Sequence, residues 1–170
     1  MAGLLYPFLA LAVIGCIALL GIHIASLFGI TSGFGASIRI LGPGVFVVFV
    51  PAVLVMTRLT RDFKQKDLWR AALRGCPTWL RRTVWVVFGY SWAGFFLLPI
   101  LYRSGMDSPA SQARTMSAVL LTFYLVAAAV LYSATQVDKV DRIRRCLNGH
   151  AVSPAANYCE ECGAPVAAEL

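Results

Sequence analysis

Near the C-terminal end of the sequence, three cysteines and a histidine fall within one short polar stretch, CLNGHAVSPAANYCEEC, residues 146–162. Cys146 and His150 are spaced C-x3-H, Cys159 and Cys162 are spaced C-x2-C, and eight residues separate the pairs. Each pair can close into a tight turn that points two ligand atoms at one ion. Gly149 and Gly163 tolerate the positive φ such turns require. Four nitrogen and sulfur donors suit a tetrahedral zinc ion and leave no position open for a substrate water, so the spacing predicts a structural Zn2+ site rather than a catalytic one. Three thiolates and a neutral imidazole around zinc leave about one negative charge, which Arg144 and Arg145 can offset. Iron fits less well, because a rubredoxin-like centre would use four cysteines and no ferredoxin or Rieske pattern is present.

Energetics point the same way. Cys146 to Val166 is 21 residues, well under the roughly 40 at which a hydrophobic core begins to suffice alone. A structural zinc is worth about 10 to 16 kcal/mol in small finger peptides, enough to order a segment whose expected apolar filling is only Val152, Tyr158 and Val166.

The rest of the chain must position this segment, and it is built for lipid. Of 170 residues 59% are hydrophobic and 14% charged, a composition that a water-solvated domain does not carry. Four apolar runs reach the roughly 20 residues needed to cross a bilayer core: about 4–30, 40–59, 83–102 and 115–136. The first contains no Lys, Arg, Asp or Glu, and the first basic residue of the chain is Arg39. A cleavable signal peptide would carry a basic start and a shorter apolar segment, so this run reads as a retained helix. Pro51 should bend the second helix.

Basic residues set the expected orientation. Eight Lys and Arg lie between Arg58 and Arg82 and four more in the tail (Lys139, Arg142, Arg144, Arg145), against Arg39, Arg103 and Arg114 in the other two loops, a ratio of 12 to 3. Positive charge stays on the cytoplasmic side, so both termini are expected inside a multi-pass inner (plasma) membrane protein. Cytoplasmic thiols stay reduced, which favours metal ligation over disulfides. Cys16 and Cys76 have no such cluster and read as small buried or interfacial side chains.

The 60–82 loop places Trp69, Ala72, Leu73 and Cys76 on one helical face, the pattern of a cytoplasmic amphipathic helix in the headgroup layer. Its basic residues could hold anionic lipid, although setting topology accounts for those same charges more directly. The acid-before-base pairs Asp138–Arg142 and Asp141–Arg145 at i,i+4 extend the fourth helix to about Arg145 as a stalk. Small residues recur every four positions at Gly21, Ala25 and Gly29 and at Gly89 and Ala93, which reads as helix seams. His23 is the one ionisable side chain, tyrosine and cysteine aside, well inside a span. No charged partner lies at its depth for a proton relay, so it reads as a neutral histidine hydrogen-bonded to a neighbouring helix.

The stretch Cys146-Leu147-Asn148-Gly149-His150, followed by Tyr158-Cys159-Glu160-Glu161-Cys162-Gly163, resembles the short bacterial zinc-ribbon domains that end many membrane proteins, with Leu147 where that family has proline. The resemblance covers the C-terminal segment alone and implies a two-knuckle ribbon with Cys146, His150, Cys159 and Cys162 as ligands. The part containing Cys76-Pro77-Thr78-Trp79 is faintly similar to uncharacterised small bacterial membrane proteins, which implies no function.

The expected fold class is therefore an all-α membrane protein, a four-transmembrane-helix bundle over residues 1–145 with a small zinc ribbon at 146–166. The expected function is to present the ribbon in the cytoplasm for protein interaction, as an adaptor or accessory subunit of a membrane complex, with homo-oligomers allowed by the small-residue seams. An oligomeric channel or transporter regulated by the ribbon is the alternative; against it, the spans carry no mid-membrane charge and no paired interrupted segments. No enzyme is expected, because no nucleophile with a base, paired carboxylates or phosphate-cradling loop is present. Nucleic-acid binding is disfavoured, since Arg142, Arg144 and Arg145 come without aromatic platforms.

Overall fold

The computed structural model describes residues 2–61, 63–101, 108–141, 146–148, 150, 152 and 156–166. The chain is helical, and among the described residues there is no strand, only one isolated bridge between Tyr158 and Pro165. After a 3-10 turn at Ala2–Leu5 come α1 (Tyr6–Leu27), α2 (Phe34–Leu59), the short α3 (Leu68–Ala72), α4 (Thr78–Leu101) and α5 (Pro109–Asp141). Three helical segments of the described chain, Gly3–Leu27, Phe34–Leu59 and Pro109–Val137, are long and apolar enough to cross a membrane.

Local chemistry sets the ends. α1 stops in a Schellman motif, with Gly29 at φ 76° and the Gly29 and Ile30 N–H groups donating to the carbonyls of Ser26 and Ala25 at 3.1 and 3.0 Å. Gly29 thus caps a helix instead of continuing the Gly21–Ala25 stripe. α5 begins before the predicted 115: Ser108 caps it by accepting from the Ser111 N–H at 3.2 Å, and Pro109 takes the first helical position, where its missing N–H costs nothing. Arg114, expected in a loop, therefore lies inside α5, and Arg39 likewise lies inside α2.

α5 is the hub. Half of its candidate span is buried, 50% against 22% for that of α1 and 17% for that of α2, and α1, α2 and α4 all pack on it. Small and polar side chains make the close approach possible: Ala113, Ser117, Ala127, Ala129 and Ser133 are almost wholly enclosed. Tyr124 is the main wedge. Its ring lies against Gly15 of α1, and its hydroxyl reaches past Gly44 of α2 to donate to the Leu41 carbonyl at 3.0 Å. A side chain at either glycine would occupy the space Tyr124 fills. By contrast a Cβ on Gly21 or Gly89 would meet nothing within 4 Å, so those two glycines are not seams within one chain.

His23 is held as the sequence predicts, with Nδ1 2.9 Å from Ser117 Oγ on α5 and Nε2 2.9 Å from Tyr90 Oη on α4. Both ring nitrogens are satisfied, and three helices are tied at one point. Contrary to the expectation that no charged side chain lies at the depth of His23, Arg114 of α5 stands beside it and donates from Nε to the Ser26 carbonyl at 3.3 Å. Ser91 of α4 donates to the Ala118 carbonyl at 2.8 Å and shares a 2.7 Å hydrogen bond with Thr122.

The loop after α2 is less helical than expected, and much of its apolar side is spent on protein. Ala71, Ala72, Leu73 and Cys76 are buried, while Trp69 stays 42% exposed. The Gly75 N–H donates to Ser133 Oγ at 3.0 Å, and the Cys76 thiol donates to the Ala129 carbonyl at 3.1 Å. Burial pushes the Cys76 thiol up to about 11, so it is an inert packing group. Cys16 is half-buried in α1.

Candidate metal centre

Past α5 the described chain resumes at Cys146, and its last unit is two turns facing each other. In the first, the Cys146 N–H donates to the His150 carbonyl at 2.9 Å, closing the C-x3-H turn. In the second, the Cys159 N–H donates to the Ala164 carbonyl at 2.8 Å, the Gly163 N–H to the Cys159 carbonyl at 2.9 Å, and the Val166 N–H to the Asn157 carbonyl at 2.9 Å. This hairpin turns at Gly163, whose φ of 69° lies in the left-handed region that glycine enters without strain. Gly149 and the arginines at 142, 144 and 145, together with the stalk pairs that use them, lie outside the described residues.

The four predicted side chains converge. One ligand atom from each of Cys146, His150, Cys159 and Cys162 lies within 4.8 Å of all the others. Cys146 Sγ is 3.7 Å from Cys162 Sγ, and Cys159 Sγ is 3.7 Å from His150 Nδ1. A tetrahedral centre with metal–sulfur bonds of about 2.3 Å and a metal–nitrogen bond of about 2.0 Å has edges of about 3.5 to 3.8 Å. The same separation is far too long for a disulfide, which needs about 2.05 Å. Each close pair takes one ligand from either turn, so an ion at this point would join the two turns to each other. The donor set fits a metal ion, and the cluster could hold one.

The packing around the ligands is small. Cys146, Val152 and Cys159 form a buried cluster, with Ala156 and Val166 against it. Tyr158, expected as filling, is 65% exposed. Its neighbour Cys159 points inward, and successive residues of an extended segment face opposite ways.

The two thiols of the hairpin are polarised in opposite directions. The Ala164 backbone N–H, and after it His150, hold Cys162 down to about 6, while burial raises Cys159. Glu161 enters the site unanticipated by the sequence reading: its Oε2 lies 3.6 Å from His150 Nε2, while Nδ1 is the nitrogen near Cys159. At that distance the carboxylate is a charged neighbour of the imidazole and not a hydrogen-bond partner. The acidic pair inside C-E-E-C was the available signal.

No protein-family model, no curated protein and no solved structure matches this chain.

Proposed function

We propose that the chain is a four-pass membrane anchor, with α4 as the remaining span, that presents a structural zinc ribbon on the cytoplasmic face for docking of a protein partner, as an adaptor or accessory subunit of a membrane complex. The observation that carries this reading is the convergence of four ligand atoms within 4.8 Å on an otherwise minimal core. Four protein donors saturate tetrahedral zinc, so the ion shapes the segment and performs no chemistry. α4 supports the anchor by running antiparallel along α5, with Ser91 at the level of Ala118 and Thr122 while the Gly75–Cys76 turn at its base meets Ala129 and Ser133. Arg81 and Arg82 at the start of α4 sit with the basic 60–82 loop, which favours that end as cytoplasmic.

The test uses the intact protein isolated in native lipid. Metal analysis should return one zinc per chain, and Cys159→Ser with Cys162→Ser should remove both the zinc and the co-purifying partner while membrane insertion persists. Retention of the partner by the metal-free protein would refute the docking role. Ion flux through proteoliposomes containing the protein alone would favour the channel reading instead.

A further inference from the structure

α2 and α4 both lean on α5, and between them a cavity of about 400 Å³ opens toward the surroundings. Its floor is one stripe of α5, including Val119, Phe123 and Val126, and its walls include Phe49 of α2 and Phe88 and Trp92 of α4. The hydroxyl groups on its wall and floor are those of Ser91 and Thr122, which bond to each other and to the Ala118 carbonyl. The cavity thus offers an almost wholly apolar surface whose two hydroxyls are already satisfied. Its α4 wall runs from Phe88 to Phe96, about 12 Å at 1.5 Å per residue, most of the roughly 15 Å depth of one leaflet.

One end is different. Trp69 closes the loop-side end of the groove, and its ring meets that of Trp85 at 6.0 Å, which in turn meets Phe88 at 6.0 Å. Beyond Trp85 a shallow depression is formed with Thr78, Arg81 and Arg82. Arg81 spends its Nε on the Cys76 carbonyl at 3.2 Å, and among the described residues no carboxylate pairs with Arg81 or Arg82. The surrounding loop, 58–82, carries eight basic residues against two acidic ones, Asp62 and Asp67.

From this juxtaposition we infer that the groove between α2 and α4 is a binding site for one anionic phospholipid of the leaflet on the basic side, with an acyl chain along Phe88, Trp92, Phe123 and Val126 and its phosphate at Arg81 and Arg82. Charge complementarity selects the headgroup, and the apolar trough, one leaflet deep, selects the chain. A second helix is a poorer occupant, because close helix packing uses small residues and this wall is aromatic. The small-residue face of α4, Gly89 and Ala93, is not part of the lining. The inference rests on the reading of α4 as a span.

The test is native mass spectrometry of the full chain in detergent, titrated with dioleoylphosphatidylglycerol or dioleoylphosphatidylcholine. One phosphatidylglycerol per chain should be retained, in preference to phosphatidylcholine. Arg81→Gln and Arg82→Gln should each weaken that retention about fivefold. Val126→Trp, which fills the trough without changing charge, should abolish it, with Val126→Phe as a milder version should the larger variant fail to fold. Equal retention of the two lipids, or retention untouched by both Val126 variants, would overturn the proposal, as would disulfide-linked dimers formed through Val119→Cys. Maleimide labelling of Gly94→Cys in intact vesicles separates the two readings. A water-accessible thiol there refutes the fourth span, whereas a protected thiol with no lipid selectivity refutes the lipid site alone.

Discussion

Replacing Gly15 by alanine adds one carbon to α1 at the point where the Tyr124 ring crosses it. That carbon would sit 2.9 Å from Tyr124 Cζ and closer still to Cδ1 and Cε1, inside the distance at which side-chain atoms meet. The ring cannot swing away cheaply, because its hydroxyl is held on the Leu41 carbonyl and Tyr124 is only 3% exposed. Overpacking of this kind costs about 1 to 3 kcal/mol, and the three crowded ring atoms put it at the upper end. Alanine is also the better helix former by about 1 kcal/mol, so the net loss should be about 2 kcal/mol. In a Tyr124→Ala background the crowding disappears and only the propensity gain remains. The two substitutions should therefore couple by about 3 kcal/mol, within the span such cycles report for contacting residues. Reversible unfolding of the four proteins in mixed detergent micelles, followed by circular dichroism, measures the coupling. Gly21→Ala is the control, since nothing lies within 4 Å of its new carbon, and it should be neutral or slightly stabilising. A coupling below about 0.5 kcal/mol would mean that Tyr124 does not pack on Gly15.

Gly75→Ala should destabilise by about 2 to 3 kcal/mol in the same assay, because its Cβ would fall 2.5 Å from the Ser133 carbonyl oxygen, a backbone atom that cannot step aside. His23→Leu forfeits the hydrogen bonds to Ser117 and Tyr90. At about 0.6 to 1.7 kcal/mol each within a membrane, the loss should be about 1 to 3 kcal/mol with zinc content unchanged. Metal uptake should release protons at pH 7, and mainly not from Cys162: with its thiol near 6 it is already mostly thiolate, whereas Cys159, raised by burial, must give its proton up. Cys162→Ser should thus leave the proton yield of any residual uptake, followed with an indicator dye, nearly unchanged, while Cys159→Ser lowers it. Binding should weaken steeply as pH falls below about 6, where the Cys162 thiolate too is protonated.

The convergence of the Cys/His cluster was legible in the sequence because its spacing is local: Cys146 and His150 close one turn and Cys159 and Cys162 another. Their mutual approach required only that the two turns fold together. Three of the four expected apolar runs were legible for the same reason, whereas α4 is not among the helices long and apolar enough to cross a membrane in the described chain. The start of α5 was missed because hydropathy was weighed over capping, although Ser108-Pro109 is a helix-start signal. Tyr158 was misassigned because an aromatic residue in a minimal core is expected to fill it, and the alternation at the hairpin turned it outward. The apolar face of the 60–82 loop was read correctly as a face, but its destination was tertiary. Ser133 and Ala129, more than fifty positions away in sequence, hold Gly75 and Cys76 on α5, and no local pattern announces that.

Hydropathy alone would rank the helices backwards. In water the most apolar segment is the one buried, but in lipid the surroundings are as apolar as leucine, so burial selects small and hydrogen-bonding residues. α1, whose span has no charged residue, keeps most of its surface outward, whereas α5 contributes Ser117, Thr122, Tyr124 and Ser133 and has every one of them bonded to another helix or to the Gly75 turn. Those bonds fix α1, α2, α4 and the loop below α4 to a single axis. In sequence α5 ends at Asp141, five positions before Cys146, which gives the polar contacts inside the bundle a second consequence. Under the anchor reading they set the direction in which the C-terminal cluster is presented. Loosening α5 through Gly75 or His23 should therefore weaken partner binding in membranes even where all four metal ligands are intact, and partner affinity unchanged in a His23→Leu protein of proven lower stability would show that the cluster is presented independently of the bundle.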